Sequence, residues 1–351
     1  MKKVLWAVLV VVAVAMVFAF AGCNKQKGAA GSAGATGSAG KPLTITVAHN
    51  QTSMENPYVY GANKFKEVIE QLSGNTIAVI THHGTMGENE SELVEKLDIG
   101  AVDIINASPG FMTAIGVPEV DTLSLMYLFN SFDHWAAALD GDFGNEMKSI
   151  IANKTGNRFR VLGYWSSSVR DYYGKKRVVT PADLKGVTLR GQSAQVMQDF
   201  WKACGAIPVS VAWGELYQAL QQGVVDSAEN DYTNFMLKEH HKTPNGHYVS
   251  ETHHDYTTRL FMTSGAFWDK LTDQQKAWVT EASRIATEEE RAVTIRMFEE
   301  SKAKVIADGA EVTNFADVDI AAFKAIALPI QDRFAQQNNL SNLLTMVRSA
   351  Q

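Results

Sequence analysis

Hydrophobic and polar positions between residues 43 and 107 alternate between two periods. Leu43 to Asn50 (LTITVAHN) switches apolar and polar side chains as a strand does, and Asn56-Pro57 then supplies a cap and a first helical turn. Phe65, Val68, Ile69 and Leu72 fall on one helical face that stops at Gly74. Thr76 to Thr81 (TIAVIT) is a second strand, Leu93, Val94 and Leu97 mark a short helix closed by Gly100, and Val102 to Ala107 (VDIINA) is a third strand. A β-α-β-α-β order predicts a parallel sheet with both faces covered.

The α/β pattern resumes at Arg158 to Trp165 (RFRVLGYW). Thr180 to Leu184 reads as a capped helical turn, Gly186 to Gly191 (GVTLRG) as a short strand carrying Arg190, and Ser193 to Cys204 as a helix. Within Ala212 to Asn230 (AWGELYQALQQGVVDSAEN), Trp213, Leu216, Tyr217 and Leu220 share one helix face and Gly223 takes the place of a C-terminal cap. That helix feeds a strand ending in Glu229 and Asn230, and ligands of open α/β sheets bind at the carboxyl ends of strands. From Leu271 to Asp308 there is neither glycine nor proline, and Thr272 is a cap. One helix of that length would reach about 55 Å, so it is expected to span two lobes.

The N-terminus sets the compartment. Met1, Lys2 and Lys3 precede an apolar run from Val4 to Ala21, the order of a secretory signal. The run is long enough for a membrane anchor, but Phe20 to Cys23 (FAGC) resembles a bacterial lipobox, with phenylalanine in place of the commoner leucine. The resemblance implies removal of residues 1–22 and lipidation of Cys23. Residues 24–41 are rich in Gly, Ala and Ser, the composition of a flexible tether, and the fold is expected to begin near Pro42. Loss of two lysines and no acid with residues 1–22 moves the formal charge from −6 to −8. Such an acidic exported chain has no basic patch for nucleic acid. Cys204 is the one thiol left after lipidation, so no internal disulfide can form.

Signatures of catalysis are missing: there is no G-x-S-x-G elbow, P-loop, G-x-G-x-x-G after a strand or H-E-x-x-H. Cys204 reads as a small core residue rather than a nucleophile. The chain is therefore expected to be no enzyme and to use no cofactor. The pairs His82-His83, His240-His241 and His253-His254 read as surface loops rather than metal ligands, because adjacent side chains point in different directions. Asp140 to Asn145 superficially resembles a calcium loop, without its alternating oxygen ligands or late glutamate. Trp165, Tyr172, Tyr173, Trp201 and Tyr217 read mostly as core, whereas Trp213 starts a helix after a loop and is expected to face a cleft. Arg170 and Arg190 are the candidate charges. Arg190 ends an apolar strand beside Gly191, well placed to offer its planar fork to a carboxylate in two parallel hydrogen bonds.

Together, PADLKGVTLRG, CGAIPVSVAWGELYQALQQGVVDSAEN, MGENESELVEKLDIGAVDI and FDHWAAALDGDFGNEM resemble the solute-binding proteins of TRAP transporters, the DctP-type family, over essentially all of residues 43–351. The most specific piece, ending in Glu229-Asn230, is similar to the family's ALQxGxVDGxEN signature. The resemblance implies an α/β, two-lobed periplasmic-binding-protein clamp with a long helix spanning both lobes. Lobe I would comprise residues 43–167 plus about 257–296, and lobe II residues 168–256 plus about 297–351.

The same resemblance implies a monomeric extracytoplasmic protein, tethered through Cys23. It would capture a small organic acid, a dicarboxylate or sugar acid, and deliver it to the membrane subunits of a TRAP permease. Arg190 corresponds to the arginine that pairs with the ligand carboxylate, and Arg170 and Asn230 to further ligand-binding positions. Trp213 matches an aromatic that packs on the ligand, and His49, Glu88 and Ser108 fall at first-lobe positions that line the cleft. Two departures stand out. The stretch DSAENDY replaces the usual DGQENP, so the loop after Asn230 is expected to run differently. Ser108 sits where some members carry an acidic side chain, so a sialic-acid-like ligand is not implied, and the many Trp and Tyr residues leave less polar ligands open. The alternatives are an exported, lipid-anchored enzyme acting on a sugar or organic acid, and a ligand-binding sensor protein.

Overall fold

The computed structural model of the chain describes residues 42–350 apart from positions 88 and 193, so the signal sequence, Cys23 and the tether lie outside the described residues. Strands β1 (Leu43–His49), β2 (Ile77–His83), β3 (Ile104–Ala107), β4 (Phe159–Trp165), β5 (Val169–Gly174), β6 (Thr188–Arg190), β7 (Ile207–Val209), β8 (Ser227–Asn230), β9 (Tyr248–Tyr256), β10 (Arg259–Ser264) and β11 (Glu311–Thr313) build two sheets. Their orders are β2-β1-β3-β10-β4 and β11-β9-β5-β8-β6-β7. The molecule is thus two-lobed, with one sheet in each lobe.

Local chemistry sets the elements as the pattern predicts. The helix Pro57–Leu72 starts on Asn56, whose side chain accepts from Tyr58 N, with proline at its first position. It buries Tyr58, Ala62, Phe65 and Ile69 with Ile45, Val47, Ile77 and Val79 of the first sheet. The helix expected over Ala212–Gly223 is split into a 3-10 turn, Trp213–Glu215, and a helix, Leu216–Gln221. Gly223 follows with φ +72°, the left-handed conformation that glycine adopts without steric cost.

Both sheets are mixed, which corrects the expectation of a parallel sheet. β1 is parallel to β2 and β3, and β6 to β7 and β8. However, β10 is antiparallel to β3 and β4, and β5 to β8 and β9. The cause is how the chain changes lobes. β4 runs into β5 through Ser166–Ser168, and β9 into β10 through Thr257–Thr258, so the two continuous segments form one antiparallel ribbon through both sheets. Each segment passes straight from one sheet into the other, so the opposed direction of the pair is the same in both sheets.

Asp273–Ala307 is a single helix, opened by a capping box between Thr272 and Gln275. Val279, Ala282 and Ala286 lie in the core of the first sheet and Val305 in that of the second, so the helix spans both lobes. It meets the helix Pro57–Leu72 at Gly61, where a Cβ would stand 2.8 Å from Trp165 Cη2 and 2.9 Å from Glu290 Cβ. Trp165 is stacked on Phe261 at 4.3 Å and cannot retreat. Gly61→Ala is expected to cost about 1–3 kcal/mol by overpacking. The check is a lower urea midpoint at unchanged slope.

The histidine pairs are not surface loops. His240, His241 and His254 are buried, and His83 lies 2.8 Å from His49. Alternation along β9 turns His254 into the interior while its neighbour His253 stacks on Phe315.

Candidate functional site

One cavity of about 280 Å³ receives residues from both sheets. The second lobe contributes Arg170 of β5, Arg190 at the end of β6, Trp213 after β7 and Asn230 at the end of β8. From the first lobe come Gln51 after β1, Glu90 at the start of the helix Glu90–Asp98 and Ser108 after β3; Arg259 opens β10. Strand ends therefore supply most of the wall, as the α/β rule requires.

Arg190 is the least committed of the three arginines. Its Nε donates to Val211 O at 3.1 Å, and its guanidinium carbon lies 5.9 Å from the Trp213 ring centroid. It forms no ion pair among the described residues, whereas Arg170 and Arg259 each form one. Burial pushes the Arg190 pKa below its ordinary value, against the opposing pull of Glu229 and Tyr173. Trp213 is fixed from behind by His240, edge to face at 5.4 Å, and its buried Nε1 has no partner among the described residues.

Arg170 is held much more tightly. It is 1 % exposed: its Nε donates to Glu229 Oε2, its Nη1 to Asn230 Oδ1 at 2.7 Å and its Nη2 to Glu229 O at 2.7 Å. His254 Nε2 lies 3.3 Å from the same Glu229 oxygen. Burial would raise the Glu229 carboxyl, but the Arg170 charge and the hydrogen bonds from His254 and Arg170 outweigh it and hold it at about 2. Asp255 lies opposite Arg170 in the ribbon. Burial lifts its carboxyl to about 7, against the pull of Arg170, so it carries only part of a charge at neutral pH.

A second ion pair closes the first-lobe side. Arg259 Nη1 donates to Glu90 Oε1 at 2.7 Å and to Ser108 Oγ, and Ser108 N donates to Glu90 Oε2 at 2.9 Å. Arg259 Nε is buried without a partner among the described residues. Asn56 Nδ2 then bridges the lobes to Asn234 Oδ1 at 3.2 Å, and Asp231 anchors Asn234 through two bonds, 2.8 Å to its backbone and 2.7 Å to its side chain.

Of the residues proposed from sequence, Arg190, Arg170, Asn230, Trp213 and Ser108 share the cavity wall. His49 is not on that wall: it is buried behind it, with Nδ1 accepting from Gln51 N at 3.2 Å, and Asn50 and Gln51 take the surface instead. Glu88 lies outside the described residues, and Glu90, two positions on, is a glutamate that lines the cavity. Arg259 was missed because it opens an apolar strand instead of ending one and has no glycine beside it; an arginine at either end of a short apolar run is the signal that would have found it.

The chain matches the family model described as bacterial extracellular solute-binding protein, family 7, over residues 47–338. It is 30 % identical to a solute-binding protein of Chromohalobacter salexigens over 82 % of this chain and 83 % of the relative. It is 25 % identical to the C4-dicarboxylate-binding periplasmic protein DctP of Rhodobacter capsulatus, over 85 % and 88 % of the two chains. Among solved structures, a TRAP periplasmic solute-binding protein of Pseudomonas putida with bound D-glucuronate superposes with a TM-score of 0.81 at 28 % identity, covering 88 % of this chain and 98 % of that one.

Proposed function

This chain belongs to the bacterial extracellular solute-binding proteins of family 7, and on that premise we propose that it captures a small carboxylate between its lobes and hands it to the membrane subunits of a TRAP permease. Arg190 carries the reading: a half-buried guanidinium in the cavity wall with one protein acceptor and no carboxylate among the described residues. Ligand enters between open lobes, its carboxylate takes the fork of Arg190, and contacts from the first lobe favour the closed form. A charge-assisted bond of this kind contributes about 1.5–3 kcal/mol net. The lobes move about the junctions Ser166–Ser168 and Thr257–Thr258, with lobe I as 43–167 plus about 257–296 and lobe II as the remainder of residues 43–351. Cys23 is the lipidated mature N-terminus, and the protein works as a tethered periplasmic monomer.

The charge balance favours a sugar acid over a dicarboxylate. Arg170 and Arg259 already face Glu229 and Glu90, which leaves the Arg190 charge for the ligand. One carboxylate matches it, and a second would be buried unpaired. Amides and hydroxyls of Asn50, Gln51, Asn89, Ser91, Gln192 and Ser210 suit a polyhydroxylated body instead. The P. putida relative has D-glucuronate bound, which supports the same choice. In a thermal-shift assay, D-glucuronate is expected to stabilise the protein, by about 2.7 kcal/mol at 100 times its dissociation constant. Succinate is expected to be far weaker. The opposite order would overturn the sugar-acid reading, and silence toward all organic acids would overturn the carboxylate reading itself.

A further inference from the structure

Ser166, where β4 leaves the first sheet, is gripped by one face of the long helix. Trp165 Nε1 donates to Thr287 Oγ1 at 3.1 Å, and Ser166 N donates to Glu290 Oε2 at 3.1 Å. Thr294 Oγ1 lies 3.1 Å from Ser166 O and 3.1 Å from Glu290 Oε1. Ser166 Oγ in turn donates to Thr257 O at 2.9 Å and accepts from Ser168 N at 2.9 Å, so both interlobe strands are tied to this one residue.

The supply of protons determines the charge on Glu290. A threonine hydroxyl carries one proton, and here it faces two oxygens that would both be acceptors if Glu290 were ionised. A neutral carboxyl resolves the conflict. Its Oε1–H donates to Thr294 Oγ1, the hydroxyl donates to Ser166 O, and Ser166 N–H donates to Oε2, closing a ring in which every group is satisfied. Glu290 is fully buried and forms no ion pair among the described residues; Arg259 is paired with Glu90 and Arg291 with Asp140. These two arginines, from β10 and the long helix, and the phenol of Tyr58, from the helix Pro57–Leu72, are the titratable groups that act on it. Burial raises the carboxyl to about 8 against the bonds from Ser166 and Thr294 and the pull of both arginines.

We propose that Glu290 is a neutral carboxylic-acid clasp on the interlobe pivot that loosens when it ionises, making lobe movement sensitive to alkaline pH. Ionisation strips the donor from Oε1, forces the Thr294 hydroxyl to choose one acceptor, and leaves an uncompensated charge beneath the ribbon. The linkage has a definite sign. Between the ordinary glutamate value of about 4.3 and about 8, the folded chain keeps a proton that the unfolded chain has lost, so stability falls with rising pH in that window and levels off above it. Glutamine can close the same ring, with its amide N–H in place of the acid O–H, and does not titrate.

The test compares the parent with Glu290→Gln, without ligand, so that it stands apart from the carboxylate reading. The melting-temperature advantage of the variant is expected to grow from pH 5 to pH 8 and then stay constant. Hydrogen exchange of the segment 164–168, corrected for the intrinsic rate, is expected to accelerate about tenfold between pH 7 and pH 9 in the parent and not in the variant. Thr294→Val, which keeps the shape and removes the relay, should exchange fast in this segment already at pH 7. An advantage independent of pH, or equal acceleration in parent and Gln variant, would overturn the proposal.

Discussion

Arg190→Ala is expected to weaken binding of an acid ligand by about 3–5 kcal/mol, two to nearly four decades in dissociation constant, because the bound carboxylate is left buried and unpaired. The unliganded protein should lose almost nothing. In that state Arg190 is itself a charge without an anion among the described residues, held by one bond to Val211 O and penalised by burial. Arg190→Lys preserves the charge but gives up the planar fork, so an intermediate loss is expected. Isothermal titration against D-glucuronate or another acid that stabilises the parent, with a melt of the unliganded variant, reads both effects. A loss of affinity below tenfold in Arg190→Ala, or an unliganded fold that collapses, would refute the assignment.

Much of this site is legible in the residue pattern because it depends on local features. A polar residue at the end of a short apolar strand beside a turn, as at Arg190 and Asn230, has few places to go except a crevice. The long helix is legible for the same reason: thirty or so residues without a breaker cannot be covered by one small lobe. Strand direction is not local. Nothing in VSETHHDYTTRLFMTS states that β9 and β10 continue from one sheet into the other, and that ribbon is what makes both sheets mixed. Pairing is equally hidden. Glu90 and Arg259 are 169 positions apart, and the buried histidines look solvated until β5, β8 and β9 close around them.

Arg170→Met is expected to cost the fold rather than only the site, by about 3–5 kcal/mol, since it leaves Glu229 at 0 % exposure facing no cation. The size of the loss should depend on pH. In the parent, burial lowers the pKa of His254 against the pull of Glu229, and the Arg170 charge lowers it further. Without Arg170, the Glu229–His254 pair can take up a proton between its members. The variant's folded state then keeps that proton above the ordinary histidine value of about 6.5, where the unfolded chain has released it. Its deficit therefore widens as pH rises from about 6 to 8, measurable as diverging urea midpoints. Pairing Arg170→Met with Glu229→Leu removes the stranded carboxylate and should restore most of the stability. Ligand affinity should not return, because Asn230 Oδ1 has lost the charged one of its two donors and keeps only Asp231 N to orient it in the cavity wall. Recovery of the fold without recovery of binding would assign Arg170 a part in the site beyond neutralising Glu229; recovery of both would reduce it to the counter-charge of Glu229. A single variant as stable as the parent would mean that Glu229 is not the buried anion its surroundings indicate.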